Sequence, residues 1–105
     1  MPQTLFRLPC GVIYTNDFRD WLEALHEREA PAHPHRMLTL DYVRCASGPA
    51  RGRAWWQLLW IPDDMAQPHQ IFQVGSASVH ISKSAQHGLR DRCLDFKDGQ
   101  VVVSP

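Results

Sequence analysis

Two glycine-bearing turns cut the stretch from Ile71 to Val103 into four short apolar strands, and so commit a third of the chain to antiparallel pairing. Ile71-Phe72-Gln73-Val74 and Ala77 to Ile81 flank Gly75-Ser76. Glycine at the first central position suits a type II′ turn, whose twist matches that of the strands it joins. Leu94-Asp95-Phe96 and Val101-Val102-Val103 flank Asp98-Gly99, one of the strongest short hairpin signals. Between the hairpins, Ser82-Lys83-Ser84 offers a helix N-cap and Gly88 a C-terminal stop, which predicts about one helical turn over Lys83–His87.

Upstream, the periodicity changes along the chain. Leu5, Leu8 and Gly11-Val12-Ile13-Tyr14 suggest one short extended segment, interrupted by Pro9 and Cys10 and therefore at best an edge strand. Thr15-Asn16 is a candidate N-cap, and Asp17 and Asp20 put negative charge in the first turn of the helix that follows. Phe18, Trp21, Leu22 and Leu25 fall at i, i+3, i+4 and i+7, so a helix over 17–28 turns one apolar stripe toward a core. Pro31 and Pro34 keep Ala30 to His35 extended. Leu38, Leu40 and Tyr42 then alternate with Thr39 and Asp41, the pattern of a half-buried strand. Ala54-Trp55-Trp56-Gln57-Leu58-Leu59-Trp60-Ile61 is apolar on both faces of a strand, which predicts a central strand or one covered by a partner chain. One substantial helix among mostly antiparallel strands defines an α+β class, and 105 residues suit a single domain over 1–105.

Composition narrows the function classes. Eleven basic and eleven acidic residues balance, so no overall field would hold the chain on nucleic acid or on a membrane surface. That balance weighs against a stacking surface made from Arg44, Arg51, Arg53 and the tryptophans. No run approaches the roughly 18 apolar residues of a membrane span, and Met1–Gly11 lacks the apolar segment of a signal peptide. A cytoplasmic protein with no membrane or nucleic-acid partner is expected. Neutrality leaves association with a protein partner, or as a homodimer, open.

Candidate chemistry is sparse. Cys10, Cys45 and Cys93 are widely spaced and contain no CxxC, so free thiols or ligands are expected over a disulfide framework. Cys45 heads a loop rich in Gly and Arg, where Arg44, Arg51 and Arg53 could favour the thiolate, the form that reacts and binds metal. A nucleophile would also need a positioned base, and no His is adjacent to it. His33 and His35 form an HxH pair in a loop, and His80 lies on a strand between His69 and His87, but none shows the spacing of a metal site. Asp63-Asp64 reads as a solvated turn. GxGxxG, GxxxxGK[ST], HExxH and GxSxG are absent, and the expectation is a protein that is not an enzyme.

Several strings together resemble the A-type iron–sulfur carriers, the HesB/IscA-like domains. Val12-Ile13-Tyr14-Thr15 leads into the helix as that family's I-x-x-T strand does, and Leu38–Val43 runs into Arg44-Cys45-Ala46-Ser47-Gly48 where the family has a Gly- and Cys-bearing loop. Leu58–Ile61 ends in the acidic Pro62-Asp63-Asp64 turn, and Ser84 to Leu89 followed by Leu94-Asp95-Phe96 is similar to the family's closing S-x-x-x-L and LDF strings. The resemblance spans about residues 12–104 and implies a HesB-like fold, a role in iron–sulfur cluster assembly, and an iron–sulfur cluster or iron as cofactor. The family holds its cluster with a loop cysteine and a terminal Cys-x-Cys pair; Cys45 matches the first, and the pair has no counterpart after Val103. A cluster needs about four ligands. The resemblance therefore implies a divergent carrier-like protein without the usual ligation, with Cys45 and then Cys93 as cofactor and metal ligands and His80 as a substitute. The alternative expectation is a non-catalytic interaction module that dimerises through Trp55, Trp56 and Trp60.

Overall fold

A computed structural model describes residues 4–44 and 54–104. In chain order these form strands β1 (Leu5–Arg7) and β2 (Ile13–Thr15), helix α1 (Asn16–Glu29), and strands β3 (Arg36–Arg44), β4 (Ala54–Pro62), β5 (Ile71–Val74) and β6 (Ala77–Ile81). Helix α2 (Lys83–Gly88) and strands β7 (Cys93–Lys97) and β8 (Gln100–Ser104) complete the α+β chain. The strands form two four-stranded sheets, in the orders β1-β2-β7-β8 and β4-β3-β6-β5. Each sheet joins two antiparallel hairpins through one parallel contact, β2 with β7 and β3 with β6.

The local signals explain most of these elements. Gly75 has φ +63 and Ser76 does not share a positive φ, the requirement of a II′ turn. Asp98 and Gly99 are both positive, at φ +52 and +76, which a type I′ turn demands. Thr15 caps α1 by accepting from the Phe18 amide at 3.1 Å, and Ser82 caps α2 by accepting from the Ala85 amide at 3.1 Å.

The helix stripe enters the core as its spacing predicts. Phe18 and Leu22 are buried, and Trp21 and Leu25 pack partly buried beside them. Around them stand Val12 and Tyr14 from the β2 side, Leu38 and Leu40 of β3, Val79 and Ile81 of β6, and Leu94 of β7. Aromatic contacts extend this packing from Phe6 through Tyr14, Phe18 and Trp21 to Phe96, where Trp21 and Phe96 stack at 4.9 Å. Two polar ties set the helix against both sheets. The Thr15 hydroxyl donates to Asp95 Oδ1 at 2.7 Å in sheet β1-β2-β7-β8, and the Ser76 amide donates to Glu23 Oε2 at 2.8 Å at the β5–β6 turn. Hydrogen bonds from Ser76, hydroxyl first and amide second, hold the Glu23 carboxyl below its usual range.

Three features depart from the sequence expectation. The first extended segment is two strands, because the backbone folds back through Leu8–Gly11 and Val12 returns its carbonyl to the Leu8 amide. Gly88 belongs to α2, and Leu89 is the C-cap. Its lack of a side chain serves close approach, since a Cβ there would overlap the Tyr42 ring. Strand β4 is not central. It pairs with β3 along all nine residues and ends the sheet, because β6 occupies the other side of β3.

The Thr15 hydroxyl acts at once as cap and as inter-element bond, with Thr15 and Asp95 only 1% and 6% exposed. Thr15→Val should therefore cost about 2–4 kcal/mol in urea unfolding, summing a lost cap and a lost bond to a buried carboxylate. Thr15→Ser keeps the hydroxyl and should stay within about 1 kcal/mol of the parent, the scale of one buried methyl. Equal losses in the two variants would show that packing, not the hydroxyl, holds this corner.

Candidate functional site

Among the described residues, those singled out from sequence gather into no cluster of metal ligands. Cys45 lies outside the described residues, as do Arg51 and Arg53. Cys93 opens β7, half-buried, with Ile13 beside it on β2 and Ser104 on β8. Burial, and then the negative charge of Asp95, push its thiol pKa up, against smaller opposing effects from Ser104 and Lys97. A thiol so placed stays protonated and is a poor ligand or nucleophile near neutral pH. His80 lies in the other sheet, on β6 between Ile71 of β5 and Thr39 of β3. Cys93 and His80 thus lie in different sheets, and among the described residues no three His, Cys, Asp or Glu side chains gather as metal ligands.

The histidine-rich loop also resolves into structural roles. His33 stacks on Trp60 at 4.8 Å and 11°, and His26, which sequence reading passed over, meets the same indole at 5.7 Å. His35 takes a positive φ of 62 and its carbonyl accepts from the Asp63 amide at 3.0 Å, closing the end of the β3–β4 ladder. Asp63 and Asp64 are exposed in a short 3-10 turn, as turn preference implies.

His80 is nonetheless unusual. It is 6% exposed, and neither ring nitrogen has a hydrogen-bond partner. Burial lowers its pKa from the ordinary 6.5, the Asp41 charge partly opposes this, and His69 adds to it. The ring is therefore held neutral, with a donor and an acceptor unused, at a cost of about 1–3 kcal/mol for such a group.

The remaining candidate is the free edge of β4. The sheet edges are β1 and β8 in one sheet and β5 and β4 in the other. The first three are three, five and four residues long, whereas β4 runs for nine. Its inner face is set by register, with Trp56, Leu58 and Trp60 opposite Tyr42, Leu40 and Leu38. Its outer side shows exposed Gln57 and Leu59, the latter 36% accessible. From Ala54 to Pro62 there is no charged residue, and the only proline is the last. Edge strands are ordinarily blunted by lysine, mid-strand proline, a bulge or brevity, and β4 carries none of these. The apolar run was visible in the sequence; its edge position was not. Comparison with protein-family profiles, with curated proteins and with solved structures finds no match to this chain.

Depressed basicity at His80 has a signed consequence for stability. The unfolded chain binds a proton near the ordinary pKa of 6.5 that the folded chain resists, so folding weakens as pH falls through and below that value. His80→Leu should match or exceed the parent in stability at about pH 7.5. Between about pH 6.5 and 5 it should lose less than the parent, by up to about 1.4 kcal/mol per pH unit. Parallel stability curves for the two proteins would show that His80 does not resist protonation.

Proposed function

We propose that this chain is a divergent HesB/IscA-like domain that serves as a non-catalytic assembly module, pairing through the β4 edge with a second copy of itself. The observation that carries this reading is the nine-residue, uncharged edge of β4, with which no second neighbouring strand pairs among the described residues. At about 3.4 Å per residue such an edge runs for roughly 30 Å; the Trp60 carbonyl near its end accepts from the Arg36 guanidinium at 3.4 Å, and the other outward backbone donors and acceptors are open to a partner strand. Antiparallel pairing of the strand with itself satisfies them by a two-fold axis, and needs no complementary sequence on a different partner. The chain's balanced charge sets up no long-range repulsion between copies.

Kinship with the carrier family is supported by the order of elements around the strings that carry the resemblance: helix after β2, the β3–β4 pair, then hairpin, helical turn and hairpin. Cluster carriage finds less support. Cys93 is a protonated thiol in one sheet and His80 a buried imidazole in the other, a donor set that does not fit a shared cluster. Cys45 is the remaining thiol at a position that matches the family's loop cysteine.

Two experiments bear on the two halves of this reading. Light scattering at up to about 0.1 mM protein, a range that populates even a weak pairing, should give a dimer for the parent. Gln57→Lys combined with Leu59→Lys should give a monomer with unchanged near-ultraviolet dichroism, because both positions are exposed. A monomeric parent, or a dimer indifferent to the two lysines, would refute the β4 pairing. Separately, anaerobic incubation with iron and sulfide should leave the protein colourless. A cluster absorption lost in Cys45→Ser would instead restore a carrier function.

A further inference from the structure

Helix α2 and the β1–β2 turn flank an open cleft of about 270 Å³. It is lined by Cys10 from the turn and by Lys83, Gln86, His87 and Arg90. The latter four fall at i, i+3, i+4 and i+7, so one side-chain face running along α2 and just past its end turns toward the turn that holds Cys10. Among the described residues no carboxylate lines the cleft. The ion pairs among the described residues engage Arg7, Arg19, Arg28 and Lys97, and leave Lys83 and Arg90 uncompensated.

The walls are held in place before any ligand arrives. The Asp91 amide donates to the Gly11 carbonyl at 2.9 Å, and the Asp91 carboxylate pairs with Arg7 at 2.9 Å, which ties the segment after α2 to the β1–β2 turn. The aliphatic stem of Arg90 lies on Gly11: a Cβ at that position would sit 3.1 Å from Arg90 Cγ. Gly11 has φ +96, so glycine is favoured there on two grounds, backbone conformation and contact. The Gln86 amide nitrogen donates to the Ile81 carbonyl at 2.9 Å, which fixes that side chain. A chain of zero net charge has thus gathered Lys83, Arg90 and His87 around one concavity, with no acid among the described residues of its lining.

We infer that this cleft binds a small, free phosphate monoester. A planar guanidinium and an ammonium lining one cleft give a forked donor and a point charge, groups that suit a phosphate dianion. The volume lies near the small end of ligand pockets and suits a compact metabolite rather than a polymer. Cys10 lines the cleft and so reports its occupancy.

The test uses the full chain and glycerol 3-phosphate as the probe. Alkylation of each cysteine by the neutral reagent iodoacetamide is followed by peptide mass spectrometry, which separates Cys10 from Cys45 and Cys93. Saturating probe should slow Cys10 alkylation several-fold and leave Cys93 unchanged, while sodium chloride at matched ionic strength should not. Lys83→Glu and Arg90→Glu, at exposed positions, should each raise the half-protecting concentration about tenfold, the scale of one charge-assisted contact. Phosphorus-31 line broadening of the probe gives the same comparison without relying on the thiol. Equal protection by chloride, or indifference of both readouts to the charge reversals, would overturn the site. Protection only by vesicles containing phosphatidic acid would overturn the free ligand in favour of a lipid headgroup.

Discussion

One buried hydroxyl holds the ends of this fold together. Thr15 Oγ1 accepts the Phe18 amide and donates to Asp95, eighty residues away in sequence, so the start of α1 and the middle of β7 share one atom. The same carboxylate accepts the Phe96 amide at 2.8 Å and faces Lys97 at 3.4 Å, so it enters the interior already engaged. In a buried setting such a group is costly when its partners are lost and orienting when they are present. The direction of α1 over its sheet follows from this point, and with it the placement of the stripe that begins at Phe18.

Once α1 is aimed, the second sheet is positioned by contact with it. Glu23 meets the β5–β6 turn, and Phe18 and Leu22 join a core shared with β3 and β6. The parallel pairing of β3 with β6 then occupies the inner side of β3 and leaves β4 outermost. The exposed apolar edge is thus a consequence of strand order. His80 is a second consequence: on β6 it stands between two flanking strands, where burial removes water without supplying a partner.

Much of the fold was legible because its signals are local. The II′ and I′ turns, the Thr15 and Ser82 caps and the α1 stripe depend on residues within about one turn of each other, and each occurs as its pattern implies. Gly88 was misread for the opposite reason. Its requirement comes from Tyr42, 46 residues earlier in the chain, and no pattern around Gly88 contains that ring. The HxH pair invited a metal reading, but His33 is spent on Trp60 and His35 on a turn. The spacing of Lys83, Gln86, His87 and Arg90 was open to view, yet polar and basic residues along and just past a short helix ordinarily form a solvated face. Only the Cys10 turn opposite makes it a cleft.

The amino-acid sequence by itself determined the main helix, the two closing hairpins and the helical turn between them, because those choices are made by backbone sterics, capping and periodicity over a few residues. The tertiary structure decided which strand lies at an edge, which histidine is left without a partner, and which cations face an empty concavity. Those outcomes depend on neighbours brought together across tens of residues, where burial and geometry, rather than local preference, set the energy of each group.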